Sequence, residues 1–176
     1  SGLRLADWCP EDEMTMRVAV KWDGWVNNKD YYYVPLFTCG YDADAMRGVS
    51  LGIQVNKNYQ YAYLYVDIGG KRYTSVASSL PGAVVSLSQG AQFEAFVSVR
   101  KLEGATAQLK VAIVSYNNVD SFDLCDMVID LSHEDELRPL HGFMQLGTDT
   151  YGSIGDAEPQ ATLNGFNGGV AKVQVW

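Results

Sequence analysis

Polar and apolar residues alternate along most of the chain, which is the pattern of strands that bury one face. Such alternation, or a short apolar run rich in β-branched and aromatic residues, recurs in eleven segments separated by Gly, Asn, Asp and Pro. The segments are 16–22, 31–39, 49–55, 59–66, 72–77, 83–87, 92–100, 108–115, 124–131, 142–146 and 170–176. Many short strands without intervening helices predict an all-β fold, a two-sheet antiparallel β-sandwich of the jelly-roll type.

The helical candidate is the segment 132–137, where Ser132 can cap a first turn loaded with acidic residues. A length of 176 residues suits one domain with a full core, so residues 1–176 are predicted to be a single module. Ser1 and Gly2 have the composition of a cloning remnant, and the last predicted strand runs to Trp176. We therefore expect a module excised from a larger protein.

Each predicted strand has an aliphatic side for a core and a mixed side with an occasional aromatic residue. The aliphatic sides of two strands carry Met16, Val18, Val20 and Trp22, and Phe93, Ala95, Val97 and Val99. The mixed sides are where a sandwich can bind a ligand.

The stretch NYQYAYLYVD, residues 58–67, places tyrosine at four alternate positions. They are Tyr59, Tyr61, Tyr63 and Tyr65. Segments 49–55 and 59–66 predict a hairpin around residues 56–58. An even-length loop pairs Ile53 with Ala62 or Gln60, turns the aliphatic residues inward, and leaves the tyrosines in solvent beside Gln54.

An odd-length loop or a bulge reverses this arrangement and buries the tyrosines in the core. We favour the even loop because it segregates both arms consistently, and because buried phenols each need a hydrogen-bond partner. Partial burial of the tyrosines under a neighbouring loop is a third arrangement.

The charge balance excludes two classes of partner. A net charge of -8 and a pI near 4.6 oppose binding to nucleic acid or to an anionic membrane, which usually require a basic patch. No run approaches the roughly 20 apolar residues of a membrane span, so we expect no membrane insertion.

The cysteine and histidine content gives no metal motif. Three cysteines at wide spacings, Cys9, Cys39 and Cys125, allow at most one disulfide, and with only two histidines a zinc site is not expected. Cys39 and Cys125 lie in apolar strand-like runs and are predicted to be buried thiols.

Several segments together resemble the laminin-G-like, concanavalin A-like lectin/glucanase superfamily. They are MTMRVAVKW, YVPLFTCGYD with RGVSLGIQV, AQFEAFVSVRKLEGATAQLKVAIV, and GFMQLGTDT with LNGFNGGVAKVQVW, in which Phe166, Gly168, Val170, Val173 and Val175 occupy the closing pattern. The resemblance implies two curved antiparallel sheets that contact glycans through the concave sheet or the rim loops. It also implies a secreted or cell-surface location and flanking catalytic or adhesion domains.

These observations together favour a non-catalytic carbohydrate-binding module or lectin-like domain that binds a polysaccharide, with β-glucan or hemicellulose preferred. Sugar C–H faces pack on aromatic rings while amides bind the hydroxyls. The predicted ligand-binding residues are Tyr59, Tyr61, Tyr63, Tyr65 and Gln54, with Gln174 and Trp176 if the last strand joins the same sheet. Loop aromatics form a second, rim candidate: Trp25, Tyr31, Tyr41 and Tyr151.

Catalysis is the weaker interpretation. Glycoside hydrolysis needs two carboxylates flanking the bond, and the Glu-x-Asp-x-Glu strand of the resembled glucanases does not occur here. The acidic clusters 11–13 and 133–136 are typical of solvated surface. A glycoside hydrolase or lyase of the same fold, and a protein–protein or adhesion module of a surface or fibre protein, remain the alternatives.

The sequence assigns no cofactor, but the resemblance implies that a structural calcium ion is to be considered. Candidate oxygen ligands are Asp42, Asp44, Asp149 and Asp156. Calcium takes six to eight oxygens, and ordinary turn-forming aspartates are the favoured interpretation.

Overall fold

The computed structural model of the chain describes ten stretches of residues. These are 3–6, 11–23, 31–42, 44–56, 61–74, 87–88, 90–116, 122–139, 144–146 and 168–176. Within them the chain forms strands and turns only. The strands are β1 (Leu3–Ala6), β2 (Glu13–Trp22), β3 (Tyr31–Asp42), β4 (Arg47–Asn56), β5 (Tyr61–Ile68), β6 (Lys71–Thr74), β7 (Leu87–Ser88), β8 (Gln92–Lys101), β9 (Thr106–Tyr116), β10 (Phe122–Asp130), β11 (Met144–Leu146) and β12 (Gly168–Val175).

The strands form two antiparallel sheets, which confirms the predicted β-sandwich. The seven-stranded sheet has the order β1-β11-β3-β4-β5-β6, with β7 pairing β5 next to β6. The five-stranded sheet has the order β10-β9-β8-β2-β12. Among the described residues, no helix is long and apolar enough to cross a membrane.

The core lies between the two sheets and follows the period-2 pattern of the sequence. Strands β2 and β8 bury every second side chain, including Met16, Val18, Val97 and Val99. The facing sheet contributes the aliphatic residues of β4 and β5 to the same cluster: Val49, Leu51, Ile53, Leu64, Val66 and Ile68. Burying an aliphatic side chain of this size contributes roughly 1.5–3 kcal/mol, so this layer stabilises the packing of the two sheets.

The hairpin of β4 and β5 has the predicted parity. Ile53 pairs with Leu64, so the aliphatic sides of both strands face the core together. The pairing is shifted by two residues from the predicted partner Ala62, which instead pairs with Val55. A shift of two keeps every side chain on its face.

The segment 132–137 is not a helix. It forms bends and turns, and the carboxylate of Glu136 is buried instead of solvated. Glu136 accepts hydrogen bonds from the backbone N–H of Ser132 and Gly70 and from the Ser132 hydroxyl. The prediction of a solvated acidic cluster is therefore wrong for Glu136, because two turns use its oxygens to satisfy buried donors.

Two of the three cysteines are buried thiols as predicted, Cys39 and Cys125. Cys9 lies outside the described residues.

Candidate functional site

The face of the seven-stranded sheet that points away from the core carries an aromatic and polar set of side chains. We call it the tyrosine face. Its described side chains on β3–β6 include Tyr33, Thr38, Ser50, Gly52, Gln54, Tyr65, Asp67 and Arg72.

Strand pairing arranges this face in rows across β4. Gln54 pairs with Tyr33 on β3 and with Tyr63 on β5. In the row on one side of it, Asn56 pairs with Tyr31 and Tyr61. In the row on the other side, Gly52 pairs with Tyr65. The register therefore places five tyrosine positions around three small or polar residues of one strand.

A further row of this face is polar. Ser50 on β4 pairs with Thr38 on β3 and with Asp67 on β5, which in turn pairs with Arg72 on β6. Thr38, Ser50 and Asp67 are each less than 4% exposed. The Ser50 hydroxyl oxygen is buried and has no hydrogen-bond partner among the described residues.

Arg72 ties the two kinds of row together. Its Nε and Nη2 donate to the two carboxylate oxygens of Asp67, each at 2.6 Å. Its guanidinium carbon lies 3.6 Å from the ring centroid of Tyr33 and 4.2 Å from that of Tyr65. The two rings meet edge to face, with centroids 5.6 Å apart. Cation–π contact and a bidentate ion pair thus fix both rings in one geometry.

Burial controls how this cluster behaves. Asp67 and Tyr65 are fully buried, the Arg72 side chain is 10% exposed, and Tyr33 is half-buried. Burial by itself lowers the pKa of Arg72, but the hydrogen bonds and charge of Asp67 outweigh it and raise the pKa above its ordinary value. Arg72 therefore stays charged at any working pH.

The position of Tyr65 depends on a glycine of the neighbouring strand. A Cβ atom on Gly52 would overlap the ring and hydroxyl of Tyr65 and lie 2.5 Å from the carbonyl oxygen of Val34. The phenol of Tyr65 therefore crosses β4 in the space that the missing side chain leaves, in the direction of Tyr33.

The structure brings together only part of the predicted tyrosine platform. Tyr65 and Gln54 lie on the expected face but are both buried, so the expectation that Tyr65 is open to solvent is wrong. Its ring is covered because Arg72 and Tyr33 pack on it. Tyr61 and Tyr63 have the register of the same face, and Tyr59 lies outside the described residues.

Gln174 and Trp176 lie on the other sheet. Gln174 pairs with Arg17 of β2, and Trp176 exchanges two backbone hydrogen bonds with Thr15. Trp176 is 58% exposed. The condition under which these two residues would join the platform is therefore not met.

The four loop aromatics predicted as a rim site do not form one cluster in the described part of the chain. Tyr41 is in β3 and is 1% exposed, so it does not lie on an exposed loop as expected. Tyr31 is the first residue of β3, at a register position of the tyrosine face. Trp25 and Tyr151 lie outside the described residues.

The aspartates considered as calcium ligands do not form a cluster in the described part of the chain. Asp42 is buried, and its Oδ1 accepts a hydrogen bond of 2.8 Å from the backbone N–H of Ala45, as a turn-forming aspartate does. Asp44 is exposed, and Asp149 and Asp156 lie outside the described residues. No group of three potential metal ligands occurs within the described stretches.

Tyr33, Asp67 and Arg72 were not predicted from the sequence. A signal for the ion pair exists in the stretch DIGGKR, residues 67–72. Gly69 and Gly70 form a two-residue hairpin loop, so residues 67 and 72 must face each other on the same side of the sheet. Opposite charges at such positions predict a cross-strand pair.

The outward face of the five-stranded sheet has a different character. Arg17 and Glu94 form a bidentate pair there, and the Arg17 guanidinium lowers the pKa of Glu94 chiefly through this hydrogen bond. Thr15 and Ser98 share a hydroxyl hydrogen bond of 3.0 Å. These side chains are half-buried, and the contacts are typical of a solvated sheet surface.

Comparison with known proteins identifies structures of similar fold but no family for this chain. No family model and no curated protein matches the chain. Similar solved structures include full-length tailspike protein 2 of an Escherichia coli O157:H7 bacteriophage, with 11% identity and a TM-score of 0.58 over 99% of this chain and 21% of that one. The alginate lyase from Klebsiella pneumoniae is 9% identical, with a TM-score of 0.54 over 93% of this chain and 59% of that one.

A third structure, the CBM40 of a Ruminococcus gnavus sialidase bound to α2,3-sialyllactose, is 11% identical over 94% of this chain and 76% of that one, with a TM-score of 0.46. The chain therefore spans about a fifth of the tailspike protein and under two thirds of the lyase. Identities this low show a shared β-sandwich fold only. The similar structures thus include an enzymatically active tailspike domain and an alginate lyase as well as the CBM40.

Proposed function

We propose that this chain is a non-catalytic carbohydrate-binding module whose tyrosine face binds a polysaccharide, with β-glucan or hemicellulose the preferred class. The observation that carries the proposal is the row arrangement of five tyrosine positions around Gly52, Gln54 and Asn56. Glycan recognition combines aromatic rings for the C–H faces of sugars with amides and hydroxyls for their oxygens. This face supplies both.

Of the two tyrosine rings that the structure describes on this face, Tyr33 is the better placed to meet a ligand. It is half-buried, whereas Tyr65 beneath it is fully buried. Arg72 and Tyr65 hold Tyr33 from within the sheet, so its orientation is set before a ligand arrives. Preorganised rings lower the entropy cost of binding. Gln54, paired with Tyr33, and the Ser50 hydroxyl are polar groups of the same face, and both are buried.

A binding role is favoured over catalysis by the state of the acidic groups. Hydrolysis of a glycosidic bond uses two carboxylates about 5 Å apart or further. In the described part of the tyrosine face the carboxylate is Asp67, and both of its oxygens bind Arg72. A carboxylate held in this way is a poor acid, base or nucleophile, because its lone pairs are occupied and its negative charge is stabilised.

The test is a titration of soluble β-glucan and xylan into the chain, with Tyr33→Ala compared against Trp176→Ala. Trp176 is the matched control because it is an exposed aromatic residue on the other sheet. We expect Tyr33→Ala to weaken binding at least about tenfold, the usual effect of losing one stacking aromatic residue, and Trp176→Ala to leave it unchanged. Each polysaccharide is also assayed for new reducing ends after incubation.

Two results would contradict the proposal. If the wild-type chain binds no polysaccharide, or if Tyr33→Ala binds as well as the wild type, the tyrosine face is not a glycan site. The first result favours the protein–protein or adhesion alternative. The appearance of new chain ends would favour a hydrolase or lyase.

A further inference from the structure

We infer that the tyrosine face selects uncharged glycans over anionic ones, because Asp67 of the same sheet already neutralises its arginine. The inference rests on the proposed function and assigns a ligand class to that site. Asp67 and Arg72 are adjacent in one cross-strand row, directly beside the tyrosine rows.

Arg72 is the cation of this face among the side chains that the structure describes on β3–β6. Arg4 on β1 belongs to the same row, because it pairs with Gln145, which pairs with Thr38. Its strand β1 is five strand spacings away from β6, which carries Arg72. Strands in a sheet lie about 4.8 Å apart, so this separation is roughly 24 Å. Among the described side chains of β3–β6, Arg72 is therefore the cation nearest to a carboxylate-bearing sugar on Tyr33.

The geometry leaves Arg72 little capacity for such a carboxylate. Two of its three guanidinium nitrogens donate to Asp67 at 2.6 Å, the third, Nη1, is buried, and the guanidinium carbon lies 3.6 Å from the Tyr33 ring centroid. A bidentate fork is the arrangement by which arginine recognises a carboxylate, and Asp67 already occupies it.

An incoming anion would have to displace a carboxylate that is fully buried. Asp67 would then remain in a dry site without its cation, which is strongly unfavourable. Without displacement, the anion would meet a pair of zero net charge on a chain whose net charge is -8. Long-range repulsion therefore works in the same direction as the local geometry.

Uncharged sugars face neither cost. A C–H face of such a sugar can pack on the half-buried ring of Tyr33, and this contact does not require the ion pair to open. The pair then serves as a positioning element: Arg72 orients both rings, and Asp67 holds Arg72.

The experiment compares an uncharged polymer, β-glucan or xylan, with alginate, in which every sugar carries a carboxylate. Affinities are measured by calorimetry in low-salt buffer for the wild type and for Asp67→Asn. This substitution keeps the shape of the side chain and releases the charge of Arg72. We expect the wild type to bind alginate at least about tenfold more weakly than the uncharged polymer, and Asp67→Asn to gain about tenfold for alginate.

The matched control is Glu94→Gln, which removes the carboxylate from the Arg17–Glu94 pair on the other sheet. It raises the net charge by the same amount, and it should not gain affinity for alginate. Circular dichroism checks that both variants fold. If Asp67→Asn does not fold, the inference is tested by the ratio of the wild-type affinities for the uncharged polymer and for alginate.

The inference is overturned if the wild type binds alginate as well as the uncharged polymer, or if both variants gain equally for alginate. If the wild type binds neither the uncharged polymer nor alginate, the proposed function is overturned instead. The two failures are therefore distinguishable.

Discussion

At the scale of single residues, Gly52 gives the tyrosine face its shape by having no side chain. A methyl group there would overlap Tyr65 and approach the backbone of Val34. We expect Gly52→Ala to destabilise the chain by about 1–3 kcal/mol, because Tyr65 must leave its place beside Arg72 or the strands must separate. Urea unfolding followed by tryptophan fluorescence measures the change.

The control for this prediction is Gly169→Ala on the edge strand β12. No heavy atom lies within 4 Å of a Cβ built at Gly169. This variant should differ from the wild type by no more than about 0.5 kcal/mol. If both alanine variants have the same stability, close packing of Tyr65 over Gly52 does not hold that part of the fold together.

Glu136 lies in a turn, but it is a second residue that we expect to contribute to the stability of the fold. Its buried carboxylate accepts from Ser132 and from the Gly70 backbone. Glu136→Gln replaces one accepting oxygen with an amide donor that faces these donors, so we expect a loss of about 1–3 kcal/mol in unfolding free energy. The exposed neighbour Glu134, changed to Gln, is the control and should be nearly neutral. Equal losses in both variants would show a general charge effect instead of a specific contact.

At the scale of elements, alternation in the sequence was sufficient to predict most strands and the faces of the β4–β5 hairpin. The parity of Ile53 and Leu64 was predictable because both arms segregate aliphatic from polar residues without a bulge. The short strand β1 was missed because Leu3–Ala6 is too brief to show a period. Segment 132–137 has an N-terminal cap signal but forms no helix. Its Glu136 instead accepts a hydrogen bond from the backbone N–H of Gly70, in the turn between β5 and β6.

The candidate site was only partly predictable because its contacts join strands that local pattern does not connect. Burial of Tyr65 results from Gly52 on one side and Arg72 on the other. Assignment of Trp176 to the other sheet depends on strand order, which alternation does not encode. The pairing of Asp67 with Arg72 was available from the two-glycine turn, since a loop of that length determines the register.

At the scale of the whole molecule, the two outward sheet faces use similar ion pairs in different environments. Arg17–Glu94 lies on a partly solvated face, where such pairs contribute little to stability. Asp67–Arg72 is buried beside aromatic rings, where removing one partner leaves a charge without compensation. This difference in burial, more than composition, separates the tyrosine face from the opposite surface as a candidate site.

Alkaline stability provides a prediction for the whole fold through Tyr73. Tyr73 is in β6 and is 3% exposed, and burial first, then the charges of Glu136 and Asp130, raise its pKa from 10.0 to about 12. The unfolded chain therefore loses this proton at lower pH than the folded chain does. The stabilisation is complete below pH 10 and is lost as the pH rises from 10 to about 12.

Replacing Tyr73 by Phe isolates that contribution, because the ring stays while the ionisable hydroxyl is removed. We expect the unfolding free energy of the wild type to fall more steeply than that of Tyr73→Phe between pH 10 and about 12, in urea titrations at closely spaced pH values. Other tyrosines and lysines titrate in both proteins, so their effects cancel in the difference. Parallel curves would mean that Tyr73 ionises equally easily in the folded and unfolded chains, and that its burial against the core is not maintained in solution.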